Sequence, residues 1–211
     1  MKLIMKPILM DMLCVLFKSF LLTFFIAILT IFILSLEKAT AQGKAIIGSK
    51  RLNIGDYLPV ELWRMPLTSI SPLGSKTISL EEYKGKAIIL DFWASWCAPC
   101  LEHMPALDSM HSAKKNLLSV IMVNATSNPK EFAKVCDFVI KYHTTNPQFF
   151  TPMTLYSKTL EEFFPYTEVP HYVWIGADGR VKAITSFPEV TSLNIDKLIA
   201  GGDLNLSVKS K

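Results

Sequence analysis

The chain has 211 residues, half of them hydrophobic, which allows one domain of ordinary size with its own core plus an extension. Its 22 basic and 18 acidic residues leave a net charge of +4, and Lys and Arg are scattered without a basic run, so nucleic-acid binding has no support. Four cysteines, Cys14, Cys97, Cys100 and Cys136, form one close pair and two distant singles, unlike the even spread of an exported domain stapled by disulfides.

At the N-terminus, Lys2, Lys6 and Lys18 precede an apolar run from Phe20 to Leu36 that only Thr and Ser interrupt. Ala39-Thr40-Ala41 places small residues at the two positions a signal peptidase reads, so residues 1–41 are expected to be a signal peptide cleaved before Gln42. The run is longer than a usual signal core, and the alternative is an uncleaved membrane anchor. Either reading exports the domain. Cys14 lies ahead of the run without the small residues of a lipid-attachment site. Loss of residues 1–41 would leave 18 basic and 16 acidic residues, a net charge of +2. Residues 42–53 read as a linker, 54–201 as the domain and 202–211 as a tail without a readable signal.

Ile54-Gly55-Asp56-Tyr57-Leu58-Pro59 opens the domain, and a strand is expected through Glu61 to Met65. Ser71-Pro72-Leu73-Gly74-Ser75 has turn chemistry and leads into Thr77-Ile78-Ser79-Leu80. Gly85 breaks the chain before Ala87 to Phe92, whose near-continuous apolar character suits a central strand buried on both faces. A helix follows Cys97, with Met104, Leu107 and His111 on one side and a kink expected at Pro105. Leu117 to Val123 reads as the next buried strand. Asn128-Pro129 caps a helix over 129–142, in which Phe132, Val135, Cys136, Val139 and Ile140 share one face and make Cys136 a buried small hydrophobe. Phe149 to Met153 is expected to be a short edge strand and Ser157 to Phe164 a short helix. His171 to Ile175 and Val181 to Thr185 pair through the turn Ala177-Asp178-Gly179-Arg180, and a last helix covers 191–200. Strands alternating with helices and ending in a hairpin and a helix indicate a layered α/β sheet.

The chemistry lies in Trp96-Cys97-Ala98-Pro99-Cys100, directly behind the apolar strand. Two thiols this close can close a reversible disulfide, Cys97–Cys100. A helix N-terminus under the first favours its thiolate, so Cys97 is expected to be exposed there with a pKa below the free-thiol value of about 8.5. Cys100, one helical turn on and more buried, is the resolving thiol. Half of a zinc site would need a second ligand pair, and His103, His111, His143 and His171 have no matching spacing. Asp91 ends a run of apolar residues, so burial is expected to raise its pKa.

Asp91-Phe92-Trp93-Ala94-Ser95-Trp96-Cys97-Ala98-Pro99-Cys100, Pro105 five residues later and Val169-Pro170 late in the chain resemble a thioredoxin. Ile54-Gly55-Asp56 and the long segment before Pro170 are more specifically similar to the exported TlpA/ResA-type thiol-disulfide oxidoreductases. The resemblance covers about residues 54–200 and implies a thioredoxin-like α/β fold of three layers, a central mixed sheet with helices on both faces. It implies that Asp91 accepts and returns the proton of Cys100. It makes Pro170 a cis-proline against the dithiol, with the Val169 backbone free to pair with an extended client. Trp96 would shield the dithiol and line the docking surface, with Trp93 packed beneath. His171 stands where a thioredoxin commonly has Thr; near Cys97 a protonated imidazole would favour the thiolate, although a packed strand residue is the ordinary reading. His103 stands where TlpA-like chains often have Glu.

Ala98-Pro99 is close to the Gly-Pro of reducing thioredoxins, so a potential nearer about −270 mV than about −120 mV is expected. The function expected from all of this is disulfide reduction in exported protein clients by a monomer of the periplasm or cell envelope. It needs no cofactor or metal, and its electrons come from a membrane thiol carrier. The alternatives are a metal-handling module, with Cys97, Cys100 and His171 on Cu(I) or zinc, and a thiol peroxidase, whose Pro-x-x-x-Thr-x-x-Cys setting is missing.

Overall fold

In the computed structural model, the structure describes residues 21, 23–31 and 51–207. The chain divides into a unit Met1–Gly48 and a unit Ser49–Lys211. In the first unit the described residues are helical (α1). Among the described residues no helix is long and apolar enough to cross a membrane. The cleavage site at Ala39-Thr40-Ala41, Cys14, residues 42–50 of the linker and residues 208–211 of the tail lie outside the described residues.

The second unit is built on a seven-stranded mixed sheet. Its strands are β1 (Leu67–Ser71), β2 (Gly74–Ile78), β3 (Ala87–Trp93), β4 (Leu118–Asn124), β5 (Met153–Thr154), β6 (His171–Ile175) and β7 (Val181–Thr185), in the spatial order β2-β1-β5-β4-β3-β6-β7. β3 runs parallel to β4 and antiparallel to β6, and β4 runs parallel to β5. Every residue of β3, β4 and β6 is buried. Strand alternation sends Ile88, Leu90 and Phe92 to one face and Ile89, Asp91 and Trp93 to the other.

Two apolar cores follow from that alternation. Ile89 and Trp93 pack with Cys100, Met104 and Leu107 of α3 (Ala98–Ala113), with α4 (Phe132–Thr145) through Val135 and Val139, and with α6 (Ser192–Ile199) through Ile195 and Leu198. On the opposite face Ile88, Leu90 and Phe92 pack with Leu62 and Trp63 of α2 (Val60–Arg64) and with Leu160 and Phe163 of α5 (Lys158–Phe163). The result is the expected three layers, helices on both faces of a mixed sheet.

Three local expectations are corrected. Glu61 to Met65 is not a strand: Val60–Arg64 is a helical turn in which Leu62 and Trp63 are buried and the amides of both point at the Pro59 carbonyl, 3.1 and 3.2 Å away. Pro59, with its fixed φ, starts this turn readily, and the strand comes one step later, as β1. The segment before Thr154 is not at an edge either. β5 lies between β4 and β1, because the β1–β2 hairpin covers its outer side, and its backbone approach is held by Asp108 of α3. One oxygen of that carboxylate accepts from the Phe150 and Thr151 amides and the Thr151 hydroxyl, each at 2.8 Å. Cys136 is half-buried against the core rather than fully buried, and Ile140 is exposed, because α4 presents only Val135 and Val139 squarely to the sheet.

The opening segment is tied to the β6–β7 hairpin: the Leu58 amide donates to the Gly179 carbonyl and the Gly55 amide to Val181. Gly179 has φ +79°, and a Cβ there would come within 2.9 Å of Trp63 Cζ2. Gly179→Ala is therefore expected to destabilise the fold by about 2–4 kcal/mol, combining left-handed backbone strain with overpacking against a buried ring. Denaturant unfolding measures this; an unchanged midpoint would show that Trp63 moves aside at no cost.

Candidate redox site

The chain leaves the C-terminal end of β3 through a tight turn in which the Cys97 amide donates to the Ala94 carbonyl at 3.0 Å. Cys97 is the N-cap of α3: its backbone is extended, its carbonyl accepts from Leu101, and its Sγ accepts from the Cys100 amide at 3.3 Å. Pro99 occupies the first turn, where a missing N–H costs nothing. One helical turn brings the Cα atoms of Cys97 and Cys100 to 5.3 Å, and the two sulfurs are joined in a disulfide. The positive end of the α3 dipole thus lies directly under the first sulfur.

Cys97 is not exposed in this oxidised state. It is only 4% accessible, because its Sγ is turned inward to Cys100 and packs with Trp93 and Ala94 in the α3-side core. Beside the disulfide Trp96 is 75% accessible, and Ala98 and Pro99 between the two cysteines are exposed as well. Trp93 is fully buried, and among the described residues its indole N–H has no partner.

Asp91 lies two residues before Trp93 on the same face of the sheet, the face that α3 covers. It has no accessible surface, and among the described residues neither carboxyl oxygen has a hydrogen-bond partner. Burial in these apolar surroundings pushes its pKa from the ordinary 3.8 up to about 8, so the group is protonated at neutral pH.

The Val169–Pro170 peptide is cis, and both residues are half-buried. His171 is paired with Phe92 at the end of the β3–β6 register, so the cis peptide lies just beyond the paired residues, at the end of β3 from which the Cys97 turn leaves. His171 itself points the other way. Its ring packs against Phe92 and Tyr166, at centroid distances of 5.4 and 5.5 Å, on the face away from Asp91 and Cys100. His103 stacks on Phe187, and burial favours its neutral form. Among the described residues no three His, Cys, Asp or Glu side chains lie close enough together to hold a metal ion.

Tyr172 is a buried neighbour of the site that no sequence signal singles out. It sits directly across from Asp91 on β6, fully buried, and among the described residues its hydroxyl has no hydrogen-bond partner. The alternation of β6 puts Tyr172 and Trp174 on one face, but only the pairing of β6 with β3 sets Tyr172 against Asp91.

The family described as Redoxin matches residues 63–199, more than half of the chain. The chain belongs to the Redoxin family. This Redoxin-family chain is 38% identical over 82 residues to the thioredoxin-like protein YneN of Bacillus subtilis, covering 39% of this chain and 48% of that protein. It is 32% identical over 72 residues to the thiol-disulfide oxidoreductase ResA of Bacillus thuringiensis, covering 32% and 42% respectively. The matched stretches thus span less than half the length of either relative. Among solved structures, the thioredoxin domain of a thiol-disulfide oxidoreductase from Bacteroides vulgatus superposes with a TM-score of 0.50 at 19% identity, over 70% of this chain and 99% of that domain. That likeness establishes the thioredoxin fold.

Because folded Asp91 keeps its proton up to about pH 8 and an unfolded Asp releases it near 3.8, the folded state binds the extra proton between these values. Its contribution to stability is complete below the unfolded value and is lost as pH rises through the folded one. Stability of the oxidised protein is expected to fall across that window by up to about 1.4 kcal/mol per pH unit from this group. In Asp91→Asn the slope should be largely removed, and the variant should exceed the parent at pH 8 while matching it near pH 4. Denaturant midpoints across that range check this, and parallel curves for the two proteins would contradict it.

Proposed function

We propose that the protein reduces disulfides in exported protein clients by dithiol exchange at Cys97 and Cys100. The observation that carries this reading is one arrangement: a Cys97–Cys100 pair closing over the N-terminus of α3, with a buried, protonatable carboxyl on the sheet face beneath it. The thiolate of Cys97 attacks one sulfur of a client disulfide, forming a mixed disulfide and releasing one client thiolate. Cys100 gives its proton to Asp91, which had passed its own proton to Cys100 when the dithiol was last formed, and attacks the Cys97 sulfur. The Cys97–Cys100 disulfide forms and the second client thiolate leaves. Two electrons pass from the dithiol to the client.

Asp91 suits the second step because its raised pKa matches that of a thiol better than an ordinary carboxylate would, so the proton moves with little driving force either way. Val169 and Pro170, just before β6 begins opposite the end of β3, offer backbone at which an extended client segment docks, and exposed Trp96 supplies an apolar contact beside it. The exchange uses only the chain's own sulfurs and needs no cofactor. Lys2, Lys6 and Lys18, the apolar run and Ala39-Thr40-Ala41 support export to the periplasm or cell envelope, either free or anchored. In that oxidising compartment a membrane thiol carrier re-reduces the monomeric protein.

The test is Cys100→Ser in the full chain. It should accumulate client proteins bound to Cys97 that dithiothreitol releases, while disulfide reduction drops at least about a hundredfold, as losing one member of an exchanging pair removes turnover. Absence of adducts, together with unchanged turnover in Cys97→Ser, would sink the exchange mechanism.

A further inference from the structure

Away from the dithiol, α3, the C-terminal end of α4 and the loop into β5 enclose a cleft of about 600 Å³. Its α3 wall begins at Pro105, and Asp108 stands eight residues beyond Cys100, about 12 Å along the helix axis. The cleft shares no lining residue with the dithiol or with Val169-Pro170.

Asp108 is the one charged side chain among the described residues that line this cleft, and it is only 9% accessible. Its two oxygens have different surroundings. Oδ1 accepts from the Phe150 and Thr151 amides and the Thr151 hydroxyl, and so fastens the loop to α3. Three donors converging on one oxygen favour the ionised carboxylate. Oδ2 accepts no hydrogen bond from the described residues, and none of their basic side chains forms an ion pair with the group. His111 and His143 feel its charge, but burial favours the neutral form of both. Unlike the oxygens of Asp91, Oδ2 is not sealed in the core. The clamp needs a single acceptor, which an amide oxygen would serve equally. The charge and the second oxygen are surplus to it.

The remaining walls favour the opposite charge in a ligand. Tyr142 and Phe149 meet edge to face with ring centroids 5.0 Å apart, and Phe150 lines the cleft while 64% exposed. Aromatic faces attract cations. Thr145 and Asn146 bring the C-terminal end of α4, the negative end of its dipole, to the same place. The volume and the rings suit an organic body rather than a bare metal ion, for which the described residues offer no cluster of ligands.

We propose that this cleft binds a small organic cation, a primary ammonium or guanidinium group carried on an apolar body. The charged head sits on Oδ2 of Asp108, and the body lies against Tyr142, Phe149 and Phe150. Nothing in this assignment requires Cys97 to turn over, so it stands or falls apart from the exchange reaction.

The experiment titrates the full chain at neutral pH with phenethylamine and with 2-phenylethanol, which has the same shape without the charge. Backbone amide shifts are followed by NMR. Phenethylamine should bind with a dissociation constant of about 10 mM or tighter and move the Phe149, Phe150 and Thr151 amides. The alcohol should bind at least about tenfold more weakly, as expected for losing hydrogen bonds to a charged partner. Asp108→Asn keeps an oxygen for the clamp and removes the charge; it should bring the amine down to the affinity of the alcohol. Phe150→Ala, at an exposed position, should weaken the amine severalfold. Equal binding of amine and alcohol, shifts confined to other parts of the chain, or no saturable binding of the amine below about 50 mM overturns the proposal. Where Asp108→Asn does not fold, the ratio of the two affinities in the parent and the loss in Phe150→Ala decide.

Discussion

β3 lies between β4 and β6 with every side chain buried, and this burial on both faces governs the position and the chemistry of everything at its end. Five large apolar side chains, Ile88, Ile89, Leu90, Phe92 and Trp93, anchor the strand between two cores. Each contributes about 1.5–3 kcal/mol of burial. Against that, one neutral carboxyl without partners costs about 1–3 kcal/mol. The strand can therefore hold Asp91 in a core position without losing its place in the sheet. The same low polarity that makes the position costly raises the pKa of Asp91 into the range of thiol chemistry.

The first sulfur and the buried acid are subject to opposite physical effects. The N-terminus of α3 places orphan amides and a positive dipole under Cys97, which favours a negative sulfur. On the sheet face that α3 covers, desolvation favours the neutral form of Asp91. The disulfide state hides Cys97 in the core and leaves Trp96, Ala98 and Pro99 accessible around it. Reactivity in this state is thus a property of the sulfur–sulfur bond, while a free Cys97 thiolate belongs to the reduced form.

Adjacent residues after the cis-proline show how strand alternation sorts chemistry. His171 and Tyr172 are neighbours in the chain, yet His171 packs with Phe92 and Tyr166 on one face and Tyr172 stands against Asp91 on the other. The imidazole, the more obvious candidate for tuning a thiolate, is separated from the dithiol by the sheet itself. The phenol, which titrates far from neutrality in its ordinary state, is the group placed beside the buried acid.

Much of the domain was legible from local pattern. The apolar run of β3, the Cys-x-x-Cys entering a helix with Pro in its first turn, the Asp-Gly turn before β7 and the cap at Asn128 are all signals contained within a few residues. The misplaced elements depend on partners far along the chain: the turn at Val60–Arg64 is helical because Leu62 and Trp63 bury against the sheet, and β5 is interior because a hairpin some eighty residues earlier pairs with it. Sequence alone determined the dithiol, its spacing and the acidic residue behind it, because covalent distance and helical rise set those directly. The tertiary structure decided that Cys97 is hidden when oxidised, that His171 faces away and that Tyr172 meets Asp91. Strand register joins residues about eighty positions apart, and no local propensity records which of them will lie opposite one another.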